Sequence, residues 1–335
     1  MVNDDLLIKK VDNAIFCPRG FASSTHDVVY DSEGTLVYES TVPRGEAGKS
    51  RPIEATGAPV KIDPSIARGT PLDEELLFVG TFDLRHFGHW LTEGISRLWP
   101  LLHSEESLRV AWATSLKARL TRIRYSQFLA GAGANHWRNS LPAFNIKRDR
   151  LRSISRPTRV KTLLVPAPSM ENRAKIHPIH LTVAQRIGSH VLNGRPVEQS
   201  EQPVFYSRTR LPSDKRKIEG EDRVEEYCRK KGALIVYPEK LGLAEQIAIV
   251  EKHDLFIGTV GSAWHALLFR NSNRSLKCVY LASEVKRSFP RNWELIDKAM
   301  GNQVENIVCC FPKENERKSR YMDHFLAIDR LDSIL

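Results

Sequence analysis

The chain has no long apolar run. Across its 335 residues none reaches the roughly 20 needed for a membrane-spanning helix. No basic-then-apolar leader opens it, so the expected location is cytoplasmic. Cysteine is sparse: Cys17, Cys228, Cys278, Cys309 and Cys310 are the only ones. Their spacing matches neither a zinc motif nor a disulfide framework. Cys278, Cys309 and Cys310 lie in apolar, strand-like runs and read as reduced core residues. There is no repeat of fixed period and no long low-complexity tract. Acids are nearly missing from residues 117–161, where Asp149 stands alone among many Lys and Arg. With a formal net charge of +10, such a face attracts anions: nucleic acid, lipid headgroups, acidic glycans or phosphorylated substrates. A solvated basic surface accounts for it more simply than any one named partner.

What is present is length for two domains and an alternating pattern. Residues 1–75 are β-rich and irregular, with a hairpin formed by 28–30 and 35–38 around Asp31-Ser-Glu-Gly34. A long loop rich in Pro, Gly and charge spans 43–71. Strands are then expected at 76–79, 108–113 and 159–165, and helices at 84–102 (bent at Pro100), 116–129 and 179–192. The polar segment 193–203, with Gly194, Pro196 and Pro203, reads as a domain linker. Beyond it, strands are expected at 204–207, 234–237, 255–258, 276–281 and 304–311. Helices are expected at 221–231, 243–253, 262–269 and 322–335. Strands alternating with helices imply parallel sheets covered on both faces. The expected fold is α/β, two doubly wound Rossmann-like domains facing across a cleft, with domains at 1–195 and 196–335. A nucleotide-bearing ligand belongs in such a cleft.

Three groups of residues point toward chemistry. The first is Gly258-Thr-Val-Gly261-Ser262-Ala263-Trp-His265, a buried strand running through a small-residue turn into an apolar helix. A helix start offers backbone N–H groups and partial positive charge to a phosphate. Close strand–helix packing explains the same glycines equally well. The second lies on the helix at 84–102. Leu84, Phe87, Leu91, Ile95, Leu98 and Leu102 form an apolar face, and His86, His89, Glu93 and Arg97 share about 80° of arc. An imidazole and a carboxylate four residues apart can touch, which suits a general base. The plainer alternative pairs Glu93 with Arg97 on a wet surface. A metal held by His86, His89 and Glu93 is a third option, but the spacing is not that of a zincin helix, and no metal is expected. The third group is Ser207, Arg208 and Arg210 at a strand end. Arginine forks match phosphate oxygens there, unless this is merely an exposed basic loop. Lys215, Arg216 and Lys217 extend the positive field. Glu239, after the next strand, could hold a sugar hydroxyl or simply favour the dipole of the helix that follows.

Read together, one half carries an acid–base pair and the other a phosphate cradle, the division of labour that glycosyl transfer from a sugar nucleotide requires. The motifs resemble those of glycosyltransferase family 61. His86-Phe-Gly-His89-Trp90-Leu91-Thr92-Glu93 followed by Arg97-Leu98 is similar to its HWL-(T/L)-(E/D)…RL signature. Tyr206-Ser207-Arg208 is similar to its (Y/I)-S-R strand end. Val236-Tyr-Pro-Glu239-Lys-Leu241 with Glu245-Gln246-Ile247 resembles its PE-x-L…EQI block, and residues 254–269 resemble its D-x-x-x-G-x-x-G-A-x…LLF block. The late Tyr321-Met-Asp323 also fits. The matches run in order over residues 76–281.

The resemblance implies a GT-B-like fold, with an N-terminal acceptor-side domain and a C-terminal nucleotide-sugar-binding domain ending in a helix. It implies inversion at the anomeric carbon, a UDP-linked donor as co-substrate, no cofactor and no obligatory metal. His89 and Glu93 become the catalytic candidates, with the choice of base between them open. Ser207, Arg208, Arg210, Glu239, Gln246, Gly261, Ser262 and His265 become the donor-binding candidates. The chain departs from the family pattern at Val260, often His, and at Ala266, often Asn; His265 is expected to substitute. Bacterial members resembling it serve capsular, exopolysaccharide or lipopolysaccharide synthesis. The expected acceptor is therefore a glycan or lipid-linked glycan, with the basic stretch offering peripheral contact to the anionic inner membrane. No nucleic acid is expected. A polysaccharide pyruvyltransferase using phosphoenolpyruvate is the rival enzyme. A non-catalytic binder of anionic glycan or nucleic acid ranks third, because interleaved aromatics are missing.

Overall fold

A computed structural model describes residues 6–46, 49–50, 56–80, 87–103, 108–113, 140–211, 217–283, 291–313 and 316–335. Leu84, His86, Lys215, Arg216 and the expected helix at 116–129 lie outside these residues, as does much of the basic stretch. The chain divides into two compact units, Met1–His190 with Ser288–Leu295, and Val191–Arg287 with Ile296–Leu335. No helix among the described residues is long and apolar enough to cross a membrane.

In the first unit the strands are β1 (Ile8–Cys17), β2 (Val28–Tyr30), the short pair β3 (Gly45–Glu46) and β4 (Lys49–Ser50), β5 (Leu72–Phe78), β6 (Arg109–Ala113), β7 (Leu151–Ile154) and β8 (Thr158–Pro166), followed by the short pair β9 (Met170–Glu171) and β10 (Lys175–Ile176). The main sheet runs β2-β1-β8-β5-β6-β7. The last four are mutually parallel, whereas β1 and β2 join antiparallel. The N-terminal region therefore completes this sheet. The last part of β1, residues 14–17, is buried on both faces, as alternation of side chains along a strand allows. Ala14 and Phe16 join one core cluster, and Ile15 and Cys17 another. The expected hairpin reduces to a bridge between Tyr30 and Leu36, with Tyr38 turning into a short 3-10 helix.

Two described residues of the basic stretch, Arg152 and Lys161, meet acids. Glu74 pairs with Arg109 and Arg152, Asp73 pairs with Lys161, and Arg150 donates to the carbonyls of Leu108 and Asn145.

The expected helix at 84–102 breaks into three pieces: α1 (Phe87–His89), a π turn (Trp90–Gly94) and a 3-10 turn (Trp99–Leu102). All five residues of the π turn are buried, so the segment has no solvent face to sustain an amphipathic period. The helix expected after Pro178 is α2 (Ile179–Leu192).

The second unit contains β11 (Val204–Tyr206), β12 (Ile218–Glu219), α3 (Glu221–Lys230), β13 (Leu234–Val236), α4 (Leu243–Lys252), β14 (Leu255–Thr259), β15 (Lys277–Ser283), α5 (Asn292–Met300, begun in the first unit), β16 (Gln303–Lys313), β17 (Glu316–Met322) and α6 (His324–Asp332). The sheet order is β12-β17-β16-β15-β14-β11-β13. The five strands from β16 to β13 are parallel. The last helix starts at His324, later than expected, because residues 316–322 form β17, antiparallel to β16, and Asp323 caps the helix through the N–H of Leu326.

Both faces of this sheet are covered. Phe205, Ile257 and Val279 pack with Val224 and Cys228 of α3 and with Ala327 and Leu331 of α6. On the opposite face Trp264 stacks against Tyr206 and Tyr280, with ring centroids 5.5 and 4.4 Å away. Residues 262–269 are helical as expected, but with 3-10 geometry. All five cysteines are buried and none is in a disulfide.

The chain leaves β11, crosses to β13 on one side, and returns to β14 on the other. That reversal makes a switch point at the carboxyl ends of β11 and β14, where the connections from the two strands part, the place at which open α/β sheets bind ligands.

Candidate active site

In the first unit the polar residues gather around Glu93. Its side chain is 7% exposed and meets four nitrogen groups. His89 Nδ1 lies 3.1 Å from Oε1, Arg44 Nη2 3.3 Å from Oε1, and His26 Nε2 3.8 Å from Oε2. The fourth is the amide of Asn172, which donates to Oε1 while its own oxygen accepts from Asn292 at 2.9 Å. Burial pushes the Glu93 carboxyl up, but His26, His89 and Arg44 outweigh it and hold the group well below the usual carboxylate range. Glu93 is therefore an anion at neutral pH. A proton on His89 Nδ1, held by that anion, leaves the lone pair on Nε2, and the ring is 38% exposed.

The π turn produces this arrangement. Ile95 N–H reaches back five residues to Trp90 O at 3.0 Å, a widening often found at functional sites. The turn is anchored from below. His180 is fully buried, with Nε2 2.9 Å from Leu91 O and Nδ1 2.8 Å from Ser169 Oγ. Burial depresses its pKa to about 4, so the ring is neutral and structural. Arg97 does not pair with Glu93 on a wet surface. It is 1% exposed and donates to the carbonyls of Glu39, Thr41 and Pro166. A buried guanidinium is stable there because its donors find acceptors in fork geometry.

In the second unit the switch point collects the other group. Arg208, just beyond β11, donates from Nη1 to Val260 O, just beyond β14, at 3.0 Å. A Cβ on Gly261 would sit 3.0 Å from that same Nη1, and one on Gly258 would sit 2.6 Å from Tyr206 O. The glycines let the two strand ends approach. Arg210 is exposed, with its guanidinium 4.0 Å from the centre of the Tyr237 ring.

Two carboxylates absent from the sequence reading support this corner. Glu225 accepts from Ser207 Oγ at 2.5 Å, Thr209 Oγ1 at 2.6 Å and Tyr237 OH at 2.6 Å, and it pairs with Arg229. Burial raises its pKa, but these donors prevail and bring it to about 2. Glu221 accepts the Arg208 N–H at 3.3 Å and the Thr259 hydroxyl at 3.1 Å. Burial pushes its carboxyl up to about 7.

The remaining candidates divide. Ser207 is wholly buried and engaged with Glu225 and Thr209. Gln246 donates to Pro238 O and Leu241 O, both at 3.2 Å, and so holds the loop that carries the exposed Glu239. His265 is 7% exposed, with Nδ1 2.9 Å from Ser262 O. Gly261, Ser262 and Arg208 are thus brought together, while Glu239 stands on a separate turn. The partners of Glu93 that sequence reasoning missed, His26, Arg44 and Asn172, come from loops 49 to 79 positions away. The i,i+4 pair of Glu221 and Glu225 was readable as a helix face, but not its burial.

Among curated proteins none matches the chain at a significant level. The sequence profile of Glycosyltransferase 61 matches residues 87–277, a span holding the Glu93 turn, the switch point and every catalytic and donor-binding candidate. The chain therefore belongs to glycosyltransferase family 61 and is a glycosyltransferase.

Proposed function

We propose that this glycosyltransferase transfers a sugar, with inversion, from a UDP-linked donor to a glycan hydroxyl in the synthesis of a cell-surface polysaccharide. The observation that carries the reading is Arg208 at the switch point, its Nη1 3.0 Å from Val260 O and its guanidinium beside Gly261. A diphosphate leaving group needs positive charge and N–H donors at one place. The carboxyl ends of two adjacent parallel strands at a switch point are where such groups are expected to meet.

In this reading Arg208, Arg210 and the backbone N–H groups near Gly261 and Ser262 stabilise the departing diphosphate. His89 is the base. Glu93, ionised and hydrogen-bonded to Nδ1, fixes the tautomer that presents Nε2 to the acceptor hydroxyl. The proton moves to Nε2 as the hydroxyl oxygen bonds to the anomeric carbon, and the bond from that carbon to the diphosphate oxygen breaks. Glu93 then faces an imidazolium and stabilises its charge, the role of an orienting carboxylate. Arg44, Asn172 and His26 keep Glu93 in place. The reading takes the two units as a GT-B pair, requires both groups to reach one donor–acceptor complex, uses no metal, and places the enzyme in the cytoplasm or against the inner membrane. Family membership favours sugar transfer over the pyruvyl alternative.

The test is UDP release from a panel of UDP-sugars by the purified protein. His89→Ala and Arg208→Ala should each slow release at least tenfold with melting curves retained. Equal rates in wild type and both variants would refute the assignment. Stabilisation by phosphoenolpyruvate and not by UDP would revive the pyruvyl alternative.

A further inference from the structure

Glu221 is the most unusual carboxyl group in the second unit. It is 0% exposed. Its Oε1 is used twice, by the N–H of Arg208 at the end of β11 and by the hydroxyl of Thr259 at the end of β14. One oxygen thus ties together the two strand ends that form the switch point. The other oxygen, Oε2, is buried and has no hydrogen-bond partner among the described residues. An ionised carboxyl with a dry, donorless oxygen is costly, and the neutral acid costs much less.

Among the described residues the charges facing Glu221 are few. Arg208 from β11 favours the anion, and Glu225 on the same helix opposes it. From β14 only the Thr259 hydroxyl contributes. Glu225 is itself held ionised by Ser207, Thr209, Tyr237 and Arg229, so it remains a fixed negative neighbour across the neutral range.

We propose that Glu221 is a positioning residue of the phosphate cradle and takes up a proton when a nucleoside diphosphate binds against Arg208. The inference rests on the donor-site reading above. An arriving phosphate neutralises Arg208, the cation among the described residues that favours the Glu221 anion, and adds negative charge at the same corner. The carboxylate Oε2 then accepts a proton from buffer and becomes the acid. Both strand ends stay hydrogen-bonded to Oε1, so the cradle keeps its shape while one negative charge disappears beneath the ligand. Glu225, the other carboxylate described at this corner, cannot supply that compensation, because Ser207, Thr209, Tyr237 and Arg229 already hold it ionised.

The test is calorimetric titration of the full chain with UDP and, separately, inorganic pyrophosphate, in buffers of different ionisation enthalpy from pH 5 to pH 9. Wild type should take up a fraction of a proton per UDP, on the order of one half near pH 7, fading toward both ends of the range. Glu221→Gln, similar in shape and unable to titrate, should bind UDP without that uptake. Thr259→Val removes a hydrogen bond that favours the Glu221 anion, so the uptake maximum should move to higher pH. This variant also serves if Glu221→Gln does not fold. Binding with no uptake, or with equal uptake in wild type and Glu221→Gln, overturns the inference and leaves the donor site standing. Absence of binding by both probes overturns the donor-site reading and this inference with it.

Discussion

Arg208 reaches from the end of β11 to the turn after β14, donating to Val260 O at 3.0 Å, and so holds the two lips of the switch point with the same guanidinium that the proposed chemistry needs. Charge and shape are therefore coupled in one side chain. Arg208→Lys keeps the charge but loses the planar fork. Donor kcat/KM should fall roughly 10- to 100-fold, the equivalent of one charge-assisted hydrogen bond, with KM taking most of the loss. Steady-state kinetics on the preferred UDP-sugar checks this.

Glu93 predicts an acid-side effect on stability. Its native pKa is depressed by His26, His89 and Arg44. The stability it contributes is therefore fully present above the ordinary carboxylate pKa and is lost as pH falls toward the native value. Relative to wild type, Glu93→Gln should melt several degrees lower at pH 7, and the gap should narrow below pH 4. Differential scanning calorimetry across that range reads it.

Glu221 predicts the opposite sign. Its native pKa is raised to about 7. The stability from its neutral form is fully present below the ordinary value and is lost as pH rises through about 7. Glu221→Gln should therefore gain on wild type between pH 5 and pH 8, by up to ~3 kcal/mol if the whole shift is expressed. Urea unfolding at the two pH values measures the change.

Gly258 sits where a Cβ would come 2.6 Å from Tyr206 O. Gly258→Ala should push β14 from β11, cost about 1–3 kcal/mol, and weaken UDP binding more than a comparable loss of stability elsewhere. Val279→Ala, in the same sheet but within the core, is the control. Melting temperature and UDP titration on both variants separate the two effects.

Arg97 donates to three buried backbone carbonyls. Arg97→Met takes that donor away from all three and should destabilise the first unit by about 3 kcal/mol or more. An effect confined to kcat, with no loss of stability, would contradict the structural role assigned to this residue.

The second unit was largely legible. Residues 204–206, 234–236 and 255–259 are short apolar strands separated by amphipathic helices, and such runs carry both type and order in their composition. The first unit was less so. β1 begins with Lys9, Lys10, Asp12 and Asn13, and its hydrophobic half alone does not reveal a ten-residue strand. The π turn escaped because 3.6- and 4.4-residue periods place the same residue types only a few positions apart. The pair of His89 and Glu93 was visible at i,i+4 spacing. Its partners His26, Arg44 and Asn172 were not, because only tertiary folding brings those loops to Glu93. Glu221 was hidden for another reason. An acid in the first turn of a helix is favourable for the dipole alone, and its sequence gives no sign of being enclosed.

The strand order has a consequence for how the second unit matures. β11 is paired on one edge by β13 and on the other by β14, so nothing shorter than residues 204–261 can bring Arg208 against Val260. Parallel neighbours need a crossover before they register. A nascent chain thus acquires this corner only once β14 has docked beside β11, and ligand capture there would report that pairing.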